Sequence, residues 1–561
     1  MTDNTLHFKR FTLNKQRLTN WYHNHKTDLL YSAISLFSGL LYAAALPPFN
    51  QEYLAYIMLV PLLWVITRRG VWFSALCGWH WGIGWGFFAY CFLREIDWMI
   101  PFLLPPVIAV WSAVWAGLVS FISSRKKECT EKHFVRQMLF IFGSAALFTL
   151  LEWTRSRLFV WNDTGVTQWR NLPLIQLAAV TGSYGVNFLV VLGNTAIFSM
   201  LKKRTRLAGA IALIPIIAVM IWGYCRIQSM EKAPLPKAVW KPVLIQGDLS
   251  QRRHATLDQA KEALDIYGTL SLEAIKKYNS GIFIIWPESA IPLTYYTTVD
   301  LRKYKIENPH ALNTLRYQEL VRLLTSNYRS RMLIGALDYA PEAPGSRKFA
   351  ATNSALFFDE NGKLQRKYDK IHRVPFGEYI PFRRFIPKFI TDYIDMGRDI
   401  ASGTDFVPMA LAQGVNAGVV ICYEGVFGYI TRQSARANAN ILIAISNDAW
   451  YPVSSEPEQH LANAVMRSVE TGLHMIRSGN NGGSGVVTPT GRFTQCYTPE
   501  QGRRPELWRG RTINQVTVPI SPETHRTFYV RHGEFFIIFL AITAAAWTAL
   551  SFYRKSEENK K

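Results

Sequence analysis

Three residues stand where apolar strands end, and their types suit acyl transfer through a covalent intermediate. The run Ile284-Ile285-Trp286-Pro287-Glu288 stops at a proline and delivers a carboxylate just beyond it. Proline has no donor for a central ladder, so the strand must end there, and strand ends are where open α/β sheets place their chemistry. Gly418-Val419-Val420-Ile421-Cys422-Tyr423-Glu424 ends a buried type of strand in a cysteine with a carboxylate two residues on. Lys367-Tyr368-Asp369-Lys370 supplies a cation, and Val374 to Pro381 follows as an aromatic-lined turn that carries Glu378. Singly, each has an ordinary reading as a surface carboxylate, a solvated lysine or a core cysteine. Together they form a unit. A cation favours the thiolate, a glutamate whose pKa is raised by burial takes the thiol proton and later an amine proton, and the lysine with a backbone N–H near Cys422 meets the oxyanion. No histidine is required. The twelve histidines are scattered without a His-x-x-x-His pair, which argues against a metal site.

The elements that must position these residues read as α/β. Short β-branched or aromatic runs at 242–246, 282–286, 331–336, 354–358, 416–421, 440–445, 484–488 and 514–519 predict strands, with helical patterns at 255–278, 312–327 and 458–474 between several of them. The charged, Gly- and Pro-containing stretch 359–381 reads as a long functional loop.

Around this domain the chain is apolar. Runs near 29–48, 52–67, 71–93, 98–123, 136–155, 172–200, 206–224 and 535–552 approach the roughly 20 residues a bilayer-crossing helix needs. The formal charge is +22, and many of the basic residues sit in short clusters beside these runs, such as Lys9-Arg10, Arg68-Arg69, Arg125-Lys126-Lys127 and Lys202-Lys203-Arg204. They form no stripe or aromatic-interleaved motif, which argues against nucleic acid and for lipid head groups and topology signals. Every second loop is basic. The expected order is a cytoplasmic tail at 1–28, a seven-helix membrane domain at 29–224, an outer domain at 225–534, an eighth span at 535–552 and a cytoplasmic tail at 553–561. In a bacterium the outer domain is then periplasmic. The basic N-terminal stretch runs into an apolar segment longer than a signal-peptide core and without a clear cleavage site. Six cysteines at scattered positions make no disulfide framework, and Cys77 and Cys91 read as packing residues.

At Glu288, Lys370 and Cys422 the sequence resembles the carbon–nitrogen hydrolase (nitrilase) superfamily, and with spans on both sides it resembles the apolipoprotein N-acyltransferase family. The likeness runs through Ala45-Leu46-Pro47-Pro48-Phe49, Gln246-Gly247, Asn353-Ser354, Tyr368-Asp369-Lys370, Val374 to Pro381 and Ile421 to Glu424. It continues in Asn447-Asp448-Ala449-Trp450, Gln459-His460-Leu461, Arg467 with Glu470, and Arg477 with Asn480, Gly482 and Ser484. The resemblance implies an αββα sandwich on an eight-span bundle in the bacterial inner membrane. It makes Cys422 the nucleophile, Glu288 the base and Lys370 the stabiliser of oxyanion and thiolate. Glu378, Tyr423, Glu424, Asn353 and Trp450 are implied as supporting or substrate-site residues. The reaction implied is transfer of an acyl chain from a phospholipid, usually phosphatidylethanolamine, to the α-amino group of the diacylglyceryl-cysteine of apolipoproteins, by a monomer without metal or soluble cofactor. The sequence departs from the family at Trp450-Tyr451-Pro452, where Trp-Phe-Gly is common. It departs again at Asp248 and Arg252-Arg253-His254-Ala255, where an Asn and a Trp are. The same triad would also serve a membrane-anchored amidase that releases its acyl group to water, and a binding module without catalysis is the third reading.

Overall fold

The computed structural model describes residues 15–124 and 133–558, apart from 235, 237, 252–255, 299–300, 302–306, 342–348, 390, 392–398, 452–453, 496–508 and 522–525. Lys9-Arg10, the basic loop 125–132, Arg252-Arg253-His254-Ala255 and Pro452 therefore lie outside the described residues.

Two sheets carry the outer domain. In the first, the strand order is Thr512–Gln515, Val243–Gln246, Phe283–Ile285, Arg331–Pro341, Phe349–Phe358 and Leu364–Asp369. The order in the second is Phe493–Gln495, Gly485–Val487, Met475–Gly479, Ile441–Ser446, Val415–Ile421 and Met409–Ala412. In both, the central pairs are parallel and the flanking pairs antiparallel. Residues alternate between two faces along a strand. Leu244, Ile285, Leu333 and Phe357 of the first sheet therefore share one core with Val419, Ile421, Ile443 and Ile476 of the second. The opposite face of the first sheet packs Ile245, Ile284 and Met332 on helices Leu257–Tyr278 and Pro309–Arg322. The opposite face of the second packs Val420, Leu442 and Ala444 on helix Glu456–Thr471 and, beyond it, on the apolar bundle. Each strand read from the sequence is present. Six more, at Val239–Trp240, Ile291–Thr294, Leu364–Asp369, Met409–Ala412, Met475–Gly479 and Phe493–Gln495, were not legible in short, polar or bulged segments, and the 514–519 run forms two strands, Thr512–Gln515 and Val518–Pro519. Within the 359–381 stretch, Leu364–Asp369 is accordingly strand rather than loop, because it pairs with Phe349–Phe358.

Five helices among the described residues are long and apolar enough to cross a membrane, within 26–45, 100–123, 134–156, 183–200 and 203–232. Of the eight expected runs, 71–93 and 535–552 form helices Val71–Ala89 and Phe535–Glu558, which are not among these five, and three others differ in form. The 52–67 run is a 3-10 turn, Glu52–Tyr56, and a seven-residue helix, Val60–Ile66, only about 10 Å long against a hydrocarbon core of about 30 Å. It nevertheless carries the chain from Asn50, whose Nδ2 donates to Glu458 at 3.1 Å, to Arg69, paired at 3.0 Å with Asp28 at the other end of the bundle. The break leaves backbone groups without helical partners. Asn194, wholly buried, supplies them by accepting from Leu59 N at 2.7 Å and donating to Ala55 O at 2.7 Å. The 172–200 run breaks at Gly182. Its first part, with helices Leu172–Ile175 and Ala178–Thr181, lies against the outer domain, where Gln176 Nε2 donates to Thr490 O at 2.9 Å. The 206–224 run continues to Lys232. Helix Val71–Ala89 is rich in Gly and Trp, and it lies hard against the first helix: a Cβ on Gly84 would sit 2.3 Å from Leu36 O.

Helix Glu456–Thr471 joins the two halves, and all its residues are buried. Gln459 accepts from Trp161 Nε1 at 2.8 Å and Asn162 Nδ2 at 2.9 Å, and donates to Pro47 O and Ala89 O at 3.2 Å each. Glu458 receives Arg170 at 2.6 Å, and Glu470 accepts from Ser183 N, at the start of a membrane helix, at 2.8 Å. Replacing Gln459 by Leu strands four buried partners, so thermal unfolding in detergent should show a loss of roughly 2–5 kcal/mol. A wild-type melting temperature would contradict that role.

Candidate active site

Glu288 follows the strand Phe283–Ile285, and the neighbouring strand has a glycine, Gly335, at that level. A Cβ there would fall 2.4 Å from Pro287 O and 2.6 Å from Glu288 Cα, so only glycine lets the carboxylate's backbone come so close. Lys370 follows Leu364–Asp369, and its N–H donates to Asn353 O at 2.8 Å. Asn353 Nδ2 lies 2.8 Å from both Glu288 Oε1 and Glu378 Oε1. Lys370 Nζ is 3.0 Å from Glu378 Oε1 and 3.4 Å from Glu288 Oε1. All four side chains are buried.

A buried ammonium is costly unless paired. Burial works against the Lys370 charge, but Glu378 and then Glu288 outweigh it, and the amine is held protonated above its ordinary range. The two carboxylates divide the work. Glu378 spends Oε1 on Lys370 and Asn353 and Oε2 on Val374 N at 2.8 Å. Glu288 is engaged through Oε1, and among the described residues its Oε2 carries no hydrogen bond, leaving it available to a substrate proton.

Cys422 ends Val415–Ile421 and opens the 3-10 turn Cys422–Val426 with φ +52°. Positive φ is strained for a residue with a Cβ and turns the side chain off the strand line. Burial pushes the thiol well above its usual range, Glu288 adds to this and Lys370 opposes it. The resting group is thus a thiol that needs a base, rather than a preformed thiolate.

Glu424 ties the lysine and cysteine elements together. Its carboxylate accepts from Ile371 N at 2.6 Å, His372 N at 3.1 Å, Ile421 N at 2.8 Å and Tyr368 OH at 2.9 Å. Burial raises it to about 7 against the pull of these donors. Tyr423 stacks on Trp161 with ring centres 6.0 Å apart, and its hydroxyl donates to Val160 O at 3.4 Å, so the membrane half roofs the nucleophile's turn. Trp450 is half-buried on the turn Asp448–Trp450. Its neighbour Tyr451 is the one set edge-on to Phe92 at 5.1 Å, with its phenol raised by burial, then by Glu456 and Cys422. Glu288, Lys370, Glu378, Asn353, Glu424, Tyr423 and Cys422 are thus brought to one place, and among the described residues no hydrogen bond or ring contact links Trp450 to it.

Asp448, Glu456, His460 and Arg477 carry no role legible in the sequence, although Asp448, His460 and Arg477 lie in its motifs. The ligand-type atoms of Asp448, Glu456 and His460 lie within 4.8 Å of one another, a spacing a metal ion accepts. Arg477 Nη2 already bonds Asp448 and stands 3.2 Å from His460 Nδ1, so a fixed cation occupies that corner. What was missing from the sequence is the fold, which brings two strand ends and a helix together.

The fold and the site define a class, a carbon–nitrogen hydrolase domain seated on a membrane-type helical bundle. The carbon–nitrogen hydrolase family model matches residues 245–502, and that of the apolipoprotein N-acyltransferase N-terminal domain matches 38–196. The chain carries both domains, and it is similar to apolipoprotein N-acyltransferases over most of its length. That of Geobacter metallireducens is 27% identical over 541 residues, 93% of this chain and 95% of that protein. The one from Bradyrhizobium diazoefficiens is 29% identical over 495 residues, 82% and 85% of the two chains. Among solved structures, Saccharomyces cerevisiae Nit3, a member of branch 10 of the nitrilase superfamily, is 18% identical, covering 54% of this chain and 97% of its own, with a TM-score of 0.34.

Two sets of substitutions probe the site. Glu288→Gln removes a charge that raises the thiol, so Cys422 alkylation at pH 8 should quicken while acyl transfer disappears. Lys370→Met removes the opposing charge and should slow alkylation as well as transfer. Alkylation changing in the same direction in both would refute this electrostatic assignment. Glu424→Gln turns an amide N–H₂ into a ring of donors, and activity should drop at least roughly tenfold with a stability loss of about 1–3 kcal/mol.

Proposed function

We propose that this protein moves a fatty acyl chain from a phospholipid to the α-amino group of a diacylglyceryl-cysteine at the N-terminus of an apolipoprotein, through a thioester on Cys422. Glu288 takes the thiol proton as Sγ attacks the ester carbonyl of the donor. Lys370 Nζ and the Tyr423 N–H face the developing oxyanion. Collapse breaks the ester bond, and the departing alkoxide takes the proton from Glu288 and leaves as a lysophospholipid. In the second half, the acceptor amine attacks the thioester and Glu288 takes its proton. Cys422 leaves as thiolate and recovers that proton.

The observation that supports transfer over hydrolysis is the packing of the nucleophile's turn. Tyr423 lies under Trp161 and Val160, and the helix behind it is docked on the bundle by Gln459 and Glu458. Both substrates are lipid-anchored, and exposing an acyl chain to water costs about 0.8 kcal/mol per methylene. A site resting on the bilayer's own helices avoids that cost. In this reading the chain crosses the membrane eight times, counting the path through residues 52–67. Arg69 and the other basic loops are cytoplasmic, residues 225–534 are periplasmic, the enzyme is a monomer in the inner membrane, and phosphatidylethanolamine is the donor.

Intact-mass analysis of the detergent-purified protein with phosphatidylethanolamine tests this. Wild type should gain one acyl chain as a hydroxylamine-sensitive adduct, Cys422→Ala should not, and a diacylated lipopeptide should discharge the adduct and emerge N-acylated. Discharge to water alone would replace this reading with the amidase. Absence of an adduct with every phospholipid tested would leave only a binding module.

A further inference from the structure

The backbone at Cys422 is held by a side chain that the chemistry above does not use. His460 Nε2 lies 3.0 Å from the Cys422 carbonyl oxygen. A carbonyl can only accept, so Nε2 carries the hydrogen. The ring's other nitrogen, Nδ1, is 3.0 Å from Asp448 Oδ1, 3.2 Å from Arg477 Nη2 and 3.6 Å from Glu456 Oε1. Arg477 in turn bonds Asp448, and Asp448, Arg477 and His460 are all buried. The imidazole is thus fixed from behind by a charged pair and in front by the nucleophile's own carbonyl.

That carbonyl belongs to the peptide joining Cys422 to Tyr423. The peptide is planar, so fixing the C=O direction fixes the Tyr423 N–H in the opposite sense. Tyr423 lies at the opening of the turn Cys422–Val426, where an N–H finds no partner within the turn and is free for a ligand. Cys422 holds φ +52°, a conformation that a residue with a Cβ keeps only when its surroundings enforce it.

We propose that His460 is a positioning residue. By holding the Cys422 carbonyl, it maintains the strained turn and aims the Tyr423 N–H at the oxyanion of both tetrahedral intermediates. The inference rests on the acyl-transfer reading. It assigns the Asp448–Arg477 pair to orienting the imidazole rather than to binding substrate.

Two amide substitutions separate this from a packing role. The amide nitrogen of Gln reaches the place of Nε2 and can still donate to Cys422 O. That of Asn reaches only the place of Nδ1 and keeps the Asp448 side alone. Acylation of Cys422 by phosphatidylethanolamine is followed by intact mass in wild type, His460→Gln and His460→Asn. Thermal unfolding and chloroacetamide labelling of Cys422 report on the fold. Expected are a maximal rate within about threefold of wild type for the Gln variant and a loss of roughly a hundredfold for the Asn variant at unchanged half-saturating lipid concentration. Equal loss in both variants, a better Asn than Gln variant, or a defect confined to half-saturation would overturn the proposal. If one variant does not fold, His460→Phe, which fills the ring's volume without a donor, stands in for it. Phe must then match Asn or fall below Gln. A wild-type protein that never charges would overturn the acyl-transfer reading itself, and the proposal with it.

Discussion

A helix with no exposed residue has to satisfy everything it carries from within the protein. Glu456–Thr471 is such a helix, yet it bears Glu456, Glu458, Gln459, His460, Arg467 and Glu470. Each polar head needs a built partner, because an unpaired polar group in a dry layer costs as much as several good contacts provide. The partners come from both sides. Gln459, Glu458 and Glu470 take theirs from the ends of membrane helices, and His460 takes its own from the strand that ends in Cys422. The placement of the catalytic turn relative to the bundle follows from this demand. A sheet packed on a soluble helix could drift with respect to a membrane, whereas this one is pinned by bonds that have no alternative in water or lipid.

The second constraint is charge. Lys370 is buried and must stay cationic to serve an oxyanion, and two carboxylates with one amide make that possible. Having two lets one be structural and the other reactive. Glu378 is saturated by the lysine, the amide and a backbone N–H, while among the described residues Glu288 keeps one oxygen free. The thiol sits beside this group with its proton held by burial and by Glu288 itself.

Between these two constraints lies Glu424, which binds the backbone of the lysine loop and the strand of the cysteine at once. The sequence showed it only as a carboxylate two residues after a cysteine. The structure gives it the task of keeping two sheets' strand ends in register. Next to Trp450, Tyr451 packs edge-on to Phe92 at 5.1 Å.

The sequence by itself determined the local features. Apolar runs with proline or polar stops set the strands that end at Glu288 and Cys422, and charge-free lengths marked the membrane helices, because periodicity and burial act over a few residues. The strand before Lys370 escaped notice, since Leu364–Asp369 is too polar to read as one and is held by its partner strand. The run 52–67 reads from the sequence as a short span. Its actual form, a turn and a short helix, is possible only because Asn194, far along the chain, satisfies the broken backbone. Tertiary structure alone decided which of the two carboxylates beside Lys370 is free, what grips the Cys422 carbonyl, and that the membrane half roofs the site. Each of these depends on hydrogen bonds between residues far apart in sequence, and no local pattern encodes such pairings.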